Sequence, residues 1–232
     1  MDTQKTRLTR QSLAQQMADA LVEYIITAGV AEGEALPSAA ELSDRFGVSR
    51  TVVREALATL VGRGVLTQSQ GRESVVSIPD ASDLGQLLRF RVHREDVSQK
   101  DILETRLGLE VVSATLAAEH ATEEDVEQMY KQLALMTSAK SDTAYHQADI
   151  QVHRLIAVAS RNPLILMILD ALEELLLDIR VKATRLRRSR GESLEPVIAQ
   201  HRKIIKAIAA HNPASAGESM RNHLETLRKE VC

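Results

Sequence analysis

The chain reads as a mostly α protein in two parts: three helices closed by a small β-hairpin, then an antiparallel all-α helical bundle. Three observations carry that reading. Over residues 1–78, three amphipathic helical patterns precede two short β-prone runs. From Asp101 onward no strand pattern appears. Gly191 and the pairs Asn162-Pro163 and Asn212-Pro213 cut that remainder into segments of helical length.

The elements follow in order. Leu13, Met17, Leu21, Ile25 and Ala28 recur at helical spacing, and Gly29 closes that helix. Pro37-Ser38 opens a second helix, in which Ser38 and Glu41 have the spacing of a capping box. Phe46 and Gly47 end it after little more than two turns. Ser49 is placed to cap a third helix with the apolar face Val53, Ala56, Leu57, Leu60 and Val61; Gly62 and Gly64 stop it. Val65–Thr67 and Ser74–Ile78 flank Gln70-Gly71-Arg72 as two strands flank a turn. Residues 79–100 read as a connector with a short helix around Leu84, Leu87 and Leu88. Helices are expected near 101–120, 123–138, 142–160, 163–188, 193–211 and 214–231, and antiparallel packing into a bundle is their natural arrangement. The domains are thus 1–78, a connector 79–100, and 101–232.

Composition narrows the class. The chain has 232 residues, enough for two modest cores, and with aromatics at 2% those cores must be aliphatic. No apolar run approaches the ~18–20 residues that span a bilayer, so no membrane partner is expected. Met1 to Arg10 is polar and lacks the apolar stretch of a signal peptide. The single cysteine, Cys232, excludes an internal disulfide framework and suits a reducing cytoplasm. Net charge is −3, and the first 78 residues hold 8 Lys+Arg against 9 Asp+Glu, so any reading of this part as a nucleic-acid binder must rest on local placement of charge.

That placement is present. Two short helices joined by a turn, the second with a basic outer edge, form the helix-turn-helix pattern, and the hairpin makes it a winged helix-turn-helix. Outside the core face of the third helix lie Arg50, Thr51 and Arg54, with the two arginines four apart near the N-terminus. That end enters the major groove, where Arg bonds guanine O6 and N7 bidentately. Thr51 suits a phosphate or a thymine methyl, and Ser38 and Ser49 stand at helix N-termini that face phosphate. Gln70, Gly71 and Arg72 at the hairpin tip are placed for the minor groove or the backbone. Taken alone, Arg50 and Arg54 are equally well read as a solvated face.

The helical domain carries polar groups where a core is expected. Asp149 shares a face with Tyr145, Val152 and Ile156, and His153 follows one turn later. His201 lies among Val197, Ile204, Ile205 and Ile208, and His223 among Met220, Leu227 and Val231. A lone histidine on such a face is commonly a satisfied core residue. An ionised carboxylate facing a bundle interior needs a partner, and a divalent cation shared by Asp149 and the three histidines supplies one. The Asp–x3–His spacing puts two ligands on one helical face. Imidazole-rich sites suit zinc, nickel, iron or copper. Arg106 reads either as a surface i, i+4 partner of Glu110 or, flanked by Ile102 and Leu109, as an inward carboxylate clamp. His146, one turn before Asp149, reads as pocket lining or a replacement ligand.

Taken as a string, Leu36-Pro37-Ser38, Glu41-Leu42, Phe46 through Thr51, Val53 through Leu57, Leu60 and Gly64-Val65-Leu66 resemble the GntR superfamily of bacterial regulators over residues 10–78. One departure is Ala40, where the family pattern has an Arg that adds a DNA contact. Glu104-Thr105-Arg106, Leu109-Glu110, Asp149 through His153, Ala159-Ser160, Asn162 through Leu164, His201 and His223 resemble the FCD effector domain of the FadR-like branch over residues 84–231. The resemblance implies a divalent metal at Asp149, His153, His201 and His223, with zinc expected and nickel, iron or manganese as alternatives. It also implies a small organic acid completing the coordination, with Arg106 as its helper and His146 beside it. The expected function is a cytoplasmic, ligand-responsive repressor binding a pseudo-palindromic double-stranded DNA operator as a homodimer. Two rivals stand beside it: a metal-dependent helical enzyme, and a DNA-binding regulator with a purely structural metal.

Overall fold

The computed structural model describes residues 11–68 and 73–231. Among them are ten helices and one two-stranded sheet, and the chain divides into two compact units between Asp80 and Ala81.

In the first unit, α1 (Leu13–Ala28), α2 (Ala39–Phe46) and α3 (Arg50–Gly62) precede β1 (Leu66–Thr67) and β2 (Val75–Val76). Each helix starts where a serine satisfies an orphan backbone donor: Ser12 accepts from Gln15, Ser38 from Glu41 and Ser49 from Val52. The Ser38–Glu41 capping box is complete. Gly29 and Gly47 close α1 and α2 in the left-handed conformation, which a side chain would make strained. Met17, Leu21, Leu42, Val53, Leu57 and Leu60 meet in one aliphatic core, each large side chain contributing about 1.5–3 kcal/mol by burial. The hairpin pairs Leu66 with Val76 and Thr67 with Val75. Its second strand is also held from the other side: Leu36 donates to the Ser74 carbonyl at 2.8 Å and Val76 to the Glu34 carbonyl at 2.9 Å. The loop before α2 therefore anchors the wing, a pairing that no residue pattern in Gly33–Leu36 announces.

The second unit holds α4 (Ala81–Arg94), α5 (Gln99–His120), α6 (Glu123–Ser138), α7 (Asp142–Ala159), α8 (Pro163–Ser189), α9 (Glu195–Ala209) and α10 (Pro213–Val231). Capping boxes Ser98–Asp101 and Thr122–Asp125 start α5 and α6, and Asn162 with Pro163 starts α8. Residues 79–100 do more than connect. α4 runs for 14 residues and packs along α8. Gly85 makes the close approach possible, because a Cβ there would lie 2.7 Å from the Ala171 carbonyl oxygen. One core joins α5, α6, α7, α9 and α10 through Met129, Ile156, Ile204, Ile205 and Met220; another joins α5 and α8 through Ile102, Leu172, Leu176 and Ile179. No helix of the described residues is long and apolar enough to cross a membrane.

Candidate metal and effector site, and candidate DNA-reading helix

Five helices of the second unit bury polar side chains: Arg106 and Glu110 from α5, His146, Asp149 and His153 from α7, Arg180 from α8, His201 from α9 and His223 from α10. His153, His201 and His223 each bring a ligand nitrogen within 4.8 Å of the others. Each also has its other nitrogen pinned to an acceptor. His153 Nδ1–H donates to Glu110, His201 Nδ1–H to the Val197 carbonyl at 2.9 Å, and His223 Nδ1–H to Gln200 Oε1 at 3.0 Å. In the neutral rings this leaves every Nε2 as a lone pair.

Those lone pairs converge. His201 Nε2 lies 3.1 Å from His153 Nε2 and 3.0 Å from Asp149 Oδ1. Acceptors facing one another at such distances are relieved by a shared positive charge, whether a proton on one ring or a bound cation. Three imidazole nitrogens and one carboxylate oxygen, each imidazole steadied by an outer hydrogen bond, are a fitting donor set for a zinc-type ion.

The charge states agree with that fit. Burial lowers His153 to about 4, although Glu110 pulls it upward. Burial, then repulsion from His201 and His153, holds His223 well below its ordinary value. Burial pushes Asp149 up, but its neighbours His201 and Arg180 outweigh this and leave it well below the carboxylate range. Glu110 behaves alike: burial raises it, and Arg106 and His153 together bring it lower than usual. Neutral imidazoles and ionised carboxylates are the forms that ligate metal.

Arg106 combines the two sequence readings. It does pair with Glu110 at i, i+4, yet both side chains are buried, at 1% and 3% exposure. Its Nη2 has no partner among the described residues. His146 is not one of the three clustered imidazoles. It lines a cavity of about 40 Å³ together with Asp149, Arg180, Thr184 and His223, and its Nε2 meets Thr184 Oγ1 at 2.9 Å. One enclosed water needs roughly 10–15 Å³, so the space beside the imidazoles takes a few waters or the head of a small acid.

Sequence reasoning passed over Arg180, Arg187 and Gln200. Arg180, 5% exposed, places Nε 2.8 Å from Asp149 Oδ2 and donates from Nη1 to Glu173 Oε1 at 2.6 Å. Arg180, Thr184 and Arg187 form an i, i+4, i+7 stripe beside Leu176, Ile179 and Ala183, so a polar seam in an apolar face was the available signal.

In the first unit Arg50, Thr51 and Arg54 are exposed on the first turns of α3. Among the described residues, neither arginine meets a carboxylate. Ser49 caps α3, and Ser38 Oγ is engaged with Glu41 at 2.6 Å. Gln70, Gly71 and Arg72 lie outside the described residues.

Comparison with known proteins agrees with both units. Residues 13–76 match the model of bacterial regulatory proteins of the gntR family, and residues 101–226 match the FCD domain. The HTH-type transcriptional repressor NanR of Enterobacter sp. (strain 638) is 31% identical over 226 residues, covering 95% of this chain and 85% of the relative. NanR of Escherichia coli (strain K12) is also 31% identical, over 95% of this chain and 84% of its own. A solved Streptococcus agalactiae GntR has the same fold, with a TM-score of 0.66 at 24% identity over 93% of this chain and 99% of that one. Fold and site together define a DNA-binding transcription regulator with a separate helical effector domain. The chain belongs to the GntR family and carries the FCD domain of the FadR-like branch. Membership in a family of regulators removes the enzyme reading.

Proposed function

We propose that this regulator is a repressor whose hold on its operator responds to a small organic acid bound at a divalent metal ion. Asp149, His153, His201 and His223 would hold the ion, zinc before nickel, iron or manganese. The observation that carries the reading is the convergence of lone pairs at His153 Nε2, His201 Nε2 and Asp149 Oδ1, with the outer nitrogens committed elsewhere. When bound, the ion supplies a Lewis-acidic position for an acid's carboxylate. Arg106, with a spare buried Nη2, is the carboxylate clamp, and His146 lines the adjoining cavity.

Arg50, Thr51 and Arg54 read the operator with Ser38, Ser49 and the hairpin tip Gln70, Gly71 and Arg72 on the phosphates and minor groove. A homodimer gives the paired recognition helices a pseudo-palindromic operator demands. The exposed Leu87 and Phe90 of α4, 66% and 65% accessible, support an apolar contact between copies. Action on DNA supports a cytoplasmic location. The acid can shift operator affinity only by the difference in its own affinity for the two states of the regulator. The repressor names of the NanR relatives support repression as the direction of control. Operator binding by metal-loaded protein, measured with and without small acids at constant metal occupancy, tests this. A change in affinity is expected; none with any acid would make the metal structural.

A further inference from the structure

A phenylalanine would pack where Tyr145 packs on α7. The ring belongs to the core that includes Val152 and Ile156, stands edge-on to His146 with 5.7 Å between centroids, and leaves the residue 6% exposed. None of these contacts uses the hydroxyl, and Oη makes no hydrogen bond among the described residues. Packing therefore does not account for the oxygen. The charged groups around the phenol, Asp149, Arg187, Glu230 and Arg180, line the same cavity of about 40 Å³ as Tyr145 itself, so the hydroxyl belongs to that cavity.

The cavity's other neutral polar groups are committed. His146 Nε2 meets Thr184 Oγ1 at 2.9 Å, His223 Nδ1 bonds Gln200 Oε1 at 3.0 Å, and Gln200 Nε2 donates to Thr226 Oγ1 at 3.1 Å. Tyr145 Oη is left able to donate and to accept, beside walls of Ala183, Leu194, Val197 and Leu227. A water satisfies such a hydroxyl, and a ligand that displaces the water without returning its hydrogen bond loses affinity. An apolar tail against Tyr145 thus carries a cost that an oxygen-bearing tail avoids. Tyr145, Asp149 and His153 follow one another by single turns along one face of α7. A carboxylate held at the imidazole end therefore leaves its tail at the Tyr145 end.

We propose that the Tyr145 hydroxyl makes this regulator prefer an acid that carries a further oxygen on its tail, beyond the carboxylate end. The inference rests on the reading of the site as an acid receptor at a divalent metal, and the test separates the two. The full chain is loaded with zinc, its metal content is measured by inductively coupled plasma mass spectrometry, and titration calorimetry compares lactate with glycerate. The two acids share their charge, their carboxylate and the hydroxyl beside it; glycerate adds one hydroxyl at the end of the tail. Glycerate binds about three- to tenfold more tightly than lactate, the span that one net hydrogen bond supplies. Tyr145→Phe removes that preference at unchanged zinc content and leaves lactate within about twofold of wild type. In a chain with three tyrosines and no tryptophan, glycerate also perturbs the near-ultraviolet absorption of tyrosine, and Tyr145→Phe abolishes the perturbation. The acid-free variant melts no lower than wild type, because it loses no hydrogen bond within the fold. Equal affinity for the two acids, a preference retained in Tyr145→Phe, or a lower melting temperature of that variant would overturn the inference. A wild-type chain that takes up no zinc, or that binds neither acid once loaded, would instead overturn the reading of the site itself.

Discussion

Glu110 joins Arg106 to His153: one carboxylate oxygen takes the Arg106 Nε–H and the other takes the His153 Nδ1–H. A single buried side chain thus orients both the group assigned to the acid and a group assigned to the metal. Outer partners of this kind set ring orientation and ligand basicity. Glu110→Gln keeps the shape but loses the charge, and its amide nitrogen cannot accept. Metal affinity is expected to fall about 10–100-fold, measured by competition with a chromogenic chelator. Wild-type affinity in that variant would remove Glu110 from the site.

Arg106→Ala separates the clamp from the metal. The variant leaves the four proposed metal ligands in place, while a small acid would lose the buried guanidinium. Lactate affinity by calorimetry should drop far more than zinc affinity. Parallel losses would mean that Arg106 acts only through Glu110.

The proposed DNA-reading helix α3 gives the third prediction. Arg50→Ala and Arg54→Ala remove exposed side chains, so melting should change little. Each should weaken binding to a selected operator by about 1–3 kcal/mol if it makes a bidentate base contact. Gel shifts identical to wild type for both would place the recognition surface elsewhere.

Gly85 carries a prediction about the fold. In Gly85→Ala the new methyl meets the backbone carbonyl of Ala171 at 2.7 Å, and backbone cannot yield as a flexible side chain does. Overpacking of this kind costs about 1–3 kcal/mol, at roughly 2–4 °C of melting temperature per kcal/mol for a domain of this size. Calorimetric melting checks it, and an unchanged transition would mean that α4 and α8 can separate without cost.

Helix starts were legible where a local cap sets them. Ser38 with Glu41, and Ser49, work through neighbours within one turn, and α2 and α3 begin beside them, whereas the Ser98–Asp101 box that starts α5 at Gln99 was passed over. Asp149 and His153 were legible as a pair because four residues of helix place them on one face. His201 and His223 showed only as polar residues among aliphatic ones; their meeting with His153 depends on three helices packing together. Gln200 was not legible at all, since it sits beside His201 in sequence yet serves His223 across the bundle. Arg180 was visible as a charge in an apolar face, but its partner Asp149 is 31 residues earlier in the chain. The pinning of β2 by Glu34 and Leu36 left no trace, because it uses backbone groups alone.

Native mass spectrometry of the full chain, before and after exposure to zinc, tests the metal centre most directly. One divalent ion per wild-type chain is expected, with His201→Ala and His223→Ala chains folded but failing to retain it. A wild-type chain that stays at its apo mass in zinc, or variants that hold the ion as fully as wild type does, would contradict the account.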